Sequence, residues 1–305
     1  MKRSSGDGGM SPGGRVGARD GGMRPEGPGG GGGLPIDGAL EGPSTPDDDQ
    51  LSQAEVTGKL PLILGAAWRP GHWDPTLRAM PILAAFARSG WEKVALSPPD
   101  NSQKALEQDI AALLNLVYMR EDRMDELVAQ SGEPARYWAQ LFSMTPQSHP
   151  ATWTLMSAAM AVAHMVCMHW KSVYNRPRPP QVYPALMPPI PVPPHPSYPS
   201  GHALHAHLIG LTLAEACPAM APACRTLAQR LAVNRHIAGV HFPSDSEASE
   251  RLVHGVQGKG PSIWRRLRPV LDSEIWAGEP TPLAAAQAEW GGVSAGPAPK
   301  PPAGG

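Results

Sequence analysis

Residues 153–170 read WTLMSAAMAVAHMVCMHW, and soon afterwards, from Asn175 to Gly201, proline occupies nearly every second or third position. The apolar run approaches the ~20 residues needed to span a bilayer, but Thr154, Ser157, His164 and His169 interrupt it, which favours a buried core helix. The proline segment has few backbone donors and a fixed φ at each ring, so we expect an extended, stiff, non-helical loop. A long core helix leading into a rigid frame is a strong constraint on what the rest can build.

The rest reads as helix. Alternating apolar and polar runs are nearly absent apart from KLPLILGA near residue 60, whereas helical periodicity recurs. Leu106, Ile110, Leu113, Leu114 and Val117 share one face, with Asp100, Asn101 or Ser102 as candidate caps. ARYWAQLFSM forms a short helix. The long helix covers about 151–171, and further helices follow at about 201–216, 220–237 and 246–257, then in PSIWRRLRPVLDSEIWAG. The fold class expected is all-α, a helical bundle.

Composition sets the limits of that bundle. Residues 1–50 are rich in Gly, Pro, Ser, Asp and Arg and cannot offset the entropy of ordering such a backbone, so we read a disordered tail. Residues 51–278 form one domain, with its motif-bearing core at 150–258. A Pro/Gly/Ala-rich tail is expected over 279–305. Net charge is −1, so no global field draws the chain to nucleic acid or acidic membranes. Cys167, Cys217 and Cys224 are odd in number, lack CxxC spacing and lie in apolar helical contexts, which suits buried thiols. The N-terminus has a basic start without an apolar run behind it, so we expect a soluble, cytoplasmic protein with no integral membrane segment.

Chemistry-bearing residues gather around three places. Ser200 and Gly201 precede HALHAHLIGLTLAEA, at a helix start whose free N–H groups and macrodipole attract anions. Gly201 admits an oxyanion close to the backbone, Ser200 adds a hydroxyl, and His202 sits at the rim to exchange a proton. Lys171 ends the long helix, and Arg176 and Arg178 follow in the proline frame. VNRHIAGVHFPSD supplies Arg235, His241 and Asp245, the carboxylate being placed to hold one ring nitrogen of His241. Each piece singly also fits an ordinary cap, a solvated cation or a satisfied core histidine.

Taken together, Lys171, Arg178-Pro179, then Pro199-Ser200-Gly201-His202, then Arg235, His241 and Asp245 resemble a known three-part signature. It is that of the type 2 phosphatidic acid phosphatases, class A bacterial acid phosphatases and vanadium haloperoxidases. The likeness runs from about 150 to 258. One departure is Asn234, where the family has Ser before the arginine. Family spacing selects Arg178, leaving Arg176 either structural or at the pocket edge.

The resemblance implies a soluble phosphomonoesterase with His241 as nucleophile, Asp245 orienting it, and His202 as proton donor and acceptor. Lys171, Arg178, Ser200, Gly201 and Arg235 would hold the phosphoryl oxygens, with no metal or other cofactor, and the partner would be a small phosphate ester. The main alternative is a haloperoxidase binding vanadate at His241 in the same cage, and a further one is a non-catalytic anion-binding or interaction module. His202, His205 and His207 form HxxHxH, but 202 and 207 do not follow the i, i+4 spacing of a zinc pair, and we expect no metal there. His195 and Tyr198 stand at the entrance. AAWRPGHWDPTLR (66–78) is read as an aromatic anchor for an extended arm, or a cover for the site.

Overall fold

A helix that is apolar on every side must sit in the middle of the molecule. The stretch from Gly201 to Ala216 is such a helix, burying Leu204, Leu208, Ile209 and Leu213 together with Ala203, Ala206, Gly210 and Thr212. The computed structural model describes residues 73–132 and 135–291, together with Trp68. The expected tail at 1–50, the KLPLILGA stretch and most of the 66–72 segment lie outside the described residues.

In chain order, α1 (Pro75–Ala87) starts at Asp74, whose Oδ1 accepts from the Thr76 and Leu77 N–H groups, with Pro75 at the first helical position. Then come α2 (Gln103–Leu114), capped by Ser102, α3 (Arg120–Gly132) and α4 (Ala135–Phe142). The long apolar run is α5 (Pro150–Tyr174), closed by Asn175 in the left-handed region at φ 46°. A single turn, α6 (Pro179–Val182), interrupts the proline segment. The central α7 (Gly201–Ala216) follows, then α8 (Ala221–Ile237), α9 (Pro243–His254), α10 (Ile263–Leu271) and α11 (Pro282–Glu289). Among the described residues there is no strand beyond one isolated bridge, Val256 to Lys259, so the all-α reading holds.

The central α7 packs against α5, α8, α9, α10 and α11, while α5 also packs against α1 and α11. Side chains from these helices form one contiguous core. Each fully buried Leu or Ile contributes ~1.5–3 kcal/mol against the entropy of ordering the chain. Among the described residues α5 is the one helix long and apolar enough to cross a membrane. Its buried face, from Thr152 through Val162 to Lys171, is spent on neighbouring helices.

Three expectations need correction. The proline segment is not wholly non-helical: α6 and a 3-10 turn at Pro184–Leu186 both place proline at their first positions, where its missing N–H costs nothing. The 279–305 segment is not all tail, because α11 buries Leu283 and Ala286 in the core. Its Glu289 carboxylate also accepts from the Ala151 and Thr152 N–H groups at 2.8 Å, capping the start of α5. Finally, α9 begins at Pro243, earlier than expected, which brings Asp245 into its first turn. Residues 292–305 lie outside the described residues.

Candidate active site

The site forms where three helix ends meet. Lys171 lies in the last turn of α5, Ser200 caps the buried start of α7, and Arg235 lies in the last turn of α8. The bend from α8 to α9 passes through Gly239 at φ 74°, where a Cβ would come within 2.9 Å of both Arg120 Nη2 and Leu186 Cδ2. Only glycine fits there, and the bend delivers His241 and Asp245 to the α7 end. The Ser200 N–H donates to the Asp245 carbonyl at 3.1 Å and Ser249 Oγ donates to the Ser200 carbonyl at 2.8 Å, which locks α7 against α9.

His241 is 2 % exposed and lies between two different partners. Its Nδ1 is 3.1 Å from Asp245 Oδ2, and its Nε2 is 3.2 Å from Arg178 Nη1. A guanidinium only donates, so Nε2 is the unprotonated nitrogen and Nδ1–H faces the carboxylate. Burial, followed by Arg178 and Lys171, holds the His241 pKa well below its usual value. Burial pushes the Asp245 carboxyl up, while Arg176, Ser197 and the Phe242 N–H pull it back. Four donors converge on it: Arg176 Nη1 at 2.7 Å, the Phe242 N–H at 3.0 Å, Ser197 Oγ and His241 Nδ1.

Arg178 also donates through Nη1 to the Val240 carbonyl at 2.7 Å and through Nε to the His195 carbonyl at 2.8 Å. Lys171 Nζ donates to the Pro196 and Ser197 carbonyls at 2.5 and 2.9 Å. Arg235 Nη2 reaches the Leu127 carbonyl at 3.3 Å and Gln130 Oε1 at 3.2 Å. Lys171, Arg178 and Arg235 are each about 1 % exposed, yet among the described residues none pairs with a carboxylate. Burial lowers Lys171 to about 8 and both arginines to about 10. Three buried cations without a counter-charge are costly unless an anion joins them.

The α7 start adds donors. Ser200 Oγ accepts from the Ala203 N–H at 3.4 Å, which leaves its own proton free to donate. At Gly201 a Cβ would meet nothing nearer than Cys167 Sγ at 3.5 Å, so packing alone does not require glycine.

His202, in the first turn of α7, is anchored to α3. Its Nε2 donates to the Gln130 carbonyl at 2.8 Å, and burial and Arg235 hold its pKa well below the usual value. His205 Nδ1 contacts the Gly201 carbonyl and His207 Nδ1 contacts His254 Nε2, so the three histidines of HxxHxH have three separate partners. His195 Nδ1 lies 3.0 Å from Arg178 Nη2, and burial lowers it to about 4. A groove of about 640 Å³ beside it is lined by Arg176, His195 and loop prolines. Trp73 is exposed, and the Arg78 guanidinium stacks over the Trp276 indole.

Ser197, whose Oγ bonds Asp245, had no sequence signal. Arg176, left as structural or at the pocket edge, is the carboxylate's main partner, also reaching Asp109 Oδ2 at 3.2 Å and Asn101 Oδ1 at 3.0 Å. Gln130, Leu127 and Glu126 come from α3, outside the motif segment.

The segment that carries these residues resembles known proteins. Residues 152–256 match the PAP2 superfamily. Decaprenylphosphoryl-5-phosphoribose phosphatase of Mycolicibacterium smegmatis (strain ATCC 700084 / mc(2)155) is 30 % identical over 117 residues, which is 37 % of this chain and 63 % of that relative. Over residues 152–256 the chain is therefore similar to the PAP2 superfamily.

Proposed function

We propose that the protein hydrolyses a phosphate monoester through a phosphohistidine at His241, without a metal. The observation that carries this reading is the set of three buried cations, Lys171, Arg178 and Arg235, with no carboxylate partner among the described residues, around the unprotonated Nε2 of a buried histidine. A dianionic phosphoryl group supplies the counter-charge, held also by the Ser200 hydroxyl and the Gly201 N–H.

In the first step, phosphoryl oxygens replace His241 as the partner of Arg178 Nη1, freeing the Nε2 lone pair to attack phosphorus. The N–P bond forms as the bond to the leaving oxygen breaks, and Asp245 stabilises the developing imidazolium. His202 protonates the leaving oxygen. Its Nε2–H is held by the Gln130 carbonyl, so Nδ1 exchanges the proton. In the second step Nδ1 takes a proton from water as the water oxygen attacks phosphorus, the N–P bond breaks, and inorganic phosphate leaves. The similar phosphatase of M. smegmatis supports a phosphate ester as the substrate class. The enzyme acts as a soluble protein, with α5 serving as a core helix.

The test is phosphate release from p-nitrophenyl phosphate by the purified chain, with and without orthovanadate. Turnover blocked by vanadate is expected. Folded protein that releases no phosphate, but oxidises bromide with peroxide after vanadate loading, would replace this reading with the haloperoxidase one.

A further inference from the structure

We propose that Gln130, on α3 and outside the matched family segment, is a positioning residue that aims both Arg235 and His202 at the phosphoryl group. This rests on the reading of the cage as a phosphoryl site. Gln130 is fully buried and serves two site residues at once. Its backbone carbonyl takes His202 Nε2–H at 2.8 Å, and its side-chain Oε1 takes Arg235 Nη2 at 3.2 Å and Asn234 Nδ2 at 3.1 Å. Two donors on one oxygen fix the amide's orientation. Gln130 Nε2 is therefore a buried donor, and neither it nor Arg235 Nε, also buried, has a partner among the described residues.

The chemistry of the acceptor matters. A neutral amide and the Leu127 carbonyl hold Arg235 by one nitrogen without neutralising its charge, so the guanidinium stays available to an oxyanion. A carboxylate is close by: Glu126 lies one turn earlier on α3 and ion-pairs with Arg230. Asn234 Nδ2 donates to both Glu126 Oε2, at 2.8 Å, and Gln130 Oε1, so its amide stands between the carboxylate and the amide that holds Arg235. This gives the departure from the family's serine a job: Asn234 bridges α8 to α3 and keeps Glu126 on Arg230.

The experiment measures inorganic phosphate binding by calorimetry and p-nitrophenyl phosphate kinetics for the full chain and for Gln130→Glu, Gln130→Met and Gln130→Ala. Q130E keeps the shape and the acceptor but places an anion against Arg235. It is expected to weaken phosphate binding about tenfold or more and to raise KM, with its melting temperature at or above that of Q130M. Q130M, which loses the acceptor but adds no charge, is expected to lower kcat and to bind phosphate better than Q130E. A purely structural role predicts the reverse order, with Q130E nearest the wild type, and that order overturns the proposal. Should Q130E not fold, Q130A with unchanged KM and kcat overturns it equally. Wild-type protein that binds no phosphate removes the cage reading as well, whereas wild type and Q130E binding alike removes this inference alone.

Discussion

Arg176 and Arg178 stand two residues apart in the same proline frame, both about 1 % exposed, with opposite surroundings. Arg176 faces Asp245 at 2.7 Å and Asp109 at 3.2 Å, with the Phe242 ring 4.1 Å from its guanidinium carbon. Arg178 faces carbonyls and two histidines. The first belongs to a charge-balanced back wall whose work is finished when the chain folds. The second belongs, with Lys171 and Arg235, to a cage that, in the proposed function, an anion balances. Burial of an arginine therefore says little about function until its partners are counted.

His241 joins the two regions, Nδ1 to the wall and Nε2 to the cage, so its loss breaks the scheme most severely. His241→Ala is expected to lower turnover ~10⁴-fold or more while the fold and phosphate binding survive, read by kinetics beside circular dichroism. Asp245→Asn removes orientation and charge support but leaves the nucleophile, so steady-state kinetics should show a smaller loss, ~10³-fold.

The two arginines sharpen the contrast directly. Arg178→Met is expected to cost ~10²-fold or more in kcat/KM and to abolish vanadate inhibition. Arg176→Met leaves Asp245 buried without its main cation, and a denaturant titration should show a loss of ~3–5 kcal/mol, more than Arg178→Met loses.

How much of this could be read in advance follows from where each partner sits along the chain. Lys171, Arg178, Ser200, His241 and Asp245 could be picked out together because they match a three-part family signature; singly, each also fits an ordinary cap, a solvated cation or a core histidine. α5 and α7 were legible because their apolar runs leave few alternatives. α3 was not: REDRMDELVAQSG is polar and buries only Leu127 and Gln130, too few apolar positions to mark a face. Its contribution to the site spans about a hundred residues of chain, from Gln130 to Asn234 and Arg235, and no local pattern reports a contact of that range. α11 was missed for a related reason, since its composition resembles a tail and Glu289 reveals its purpose only at the start of α5. Arg176 could be seen but not interpreted, because its meaning lies in Asp109 and Asp245.

Acidity probes the same division with a smaller effect. In the proposed mechanism His202 must be protonated to donate in the first step, and its lowered pKa leaves it mostly neutral at pH 7. His241, also lowered, stays neutral as the pH falls. A pH–rate profile should therefore show kcat/KM rising from pH 8 towards acid. Stability moves the other way. His205, His207 and His236 are held by burial at about 4, below their unfolded value near 6.5, so the unfolded chain binds more protons between those limits. Stability is full above pH 6.5 and is lost as the pH falls towards 4, which thermal melts across the range will record. The smallest change expected is Gly201→Ala, with a several-fold loss of rate and a stability shift within ~1 kcal/mol, because the added methyl finds room beside Cys167.

The central claim is that the cage is three buried cations in want of an anion, and the most direct measurement is the melting temperature of the wild-type chain against orthovanadate concentration. The account predicts a saturable rise, at least ~5 °C at 100 times the dissociation constant, that disappears in Arg178→Met. A melting temperature unmoved by millimolar orthovanadate would contradict it.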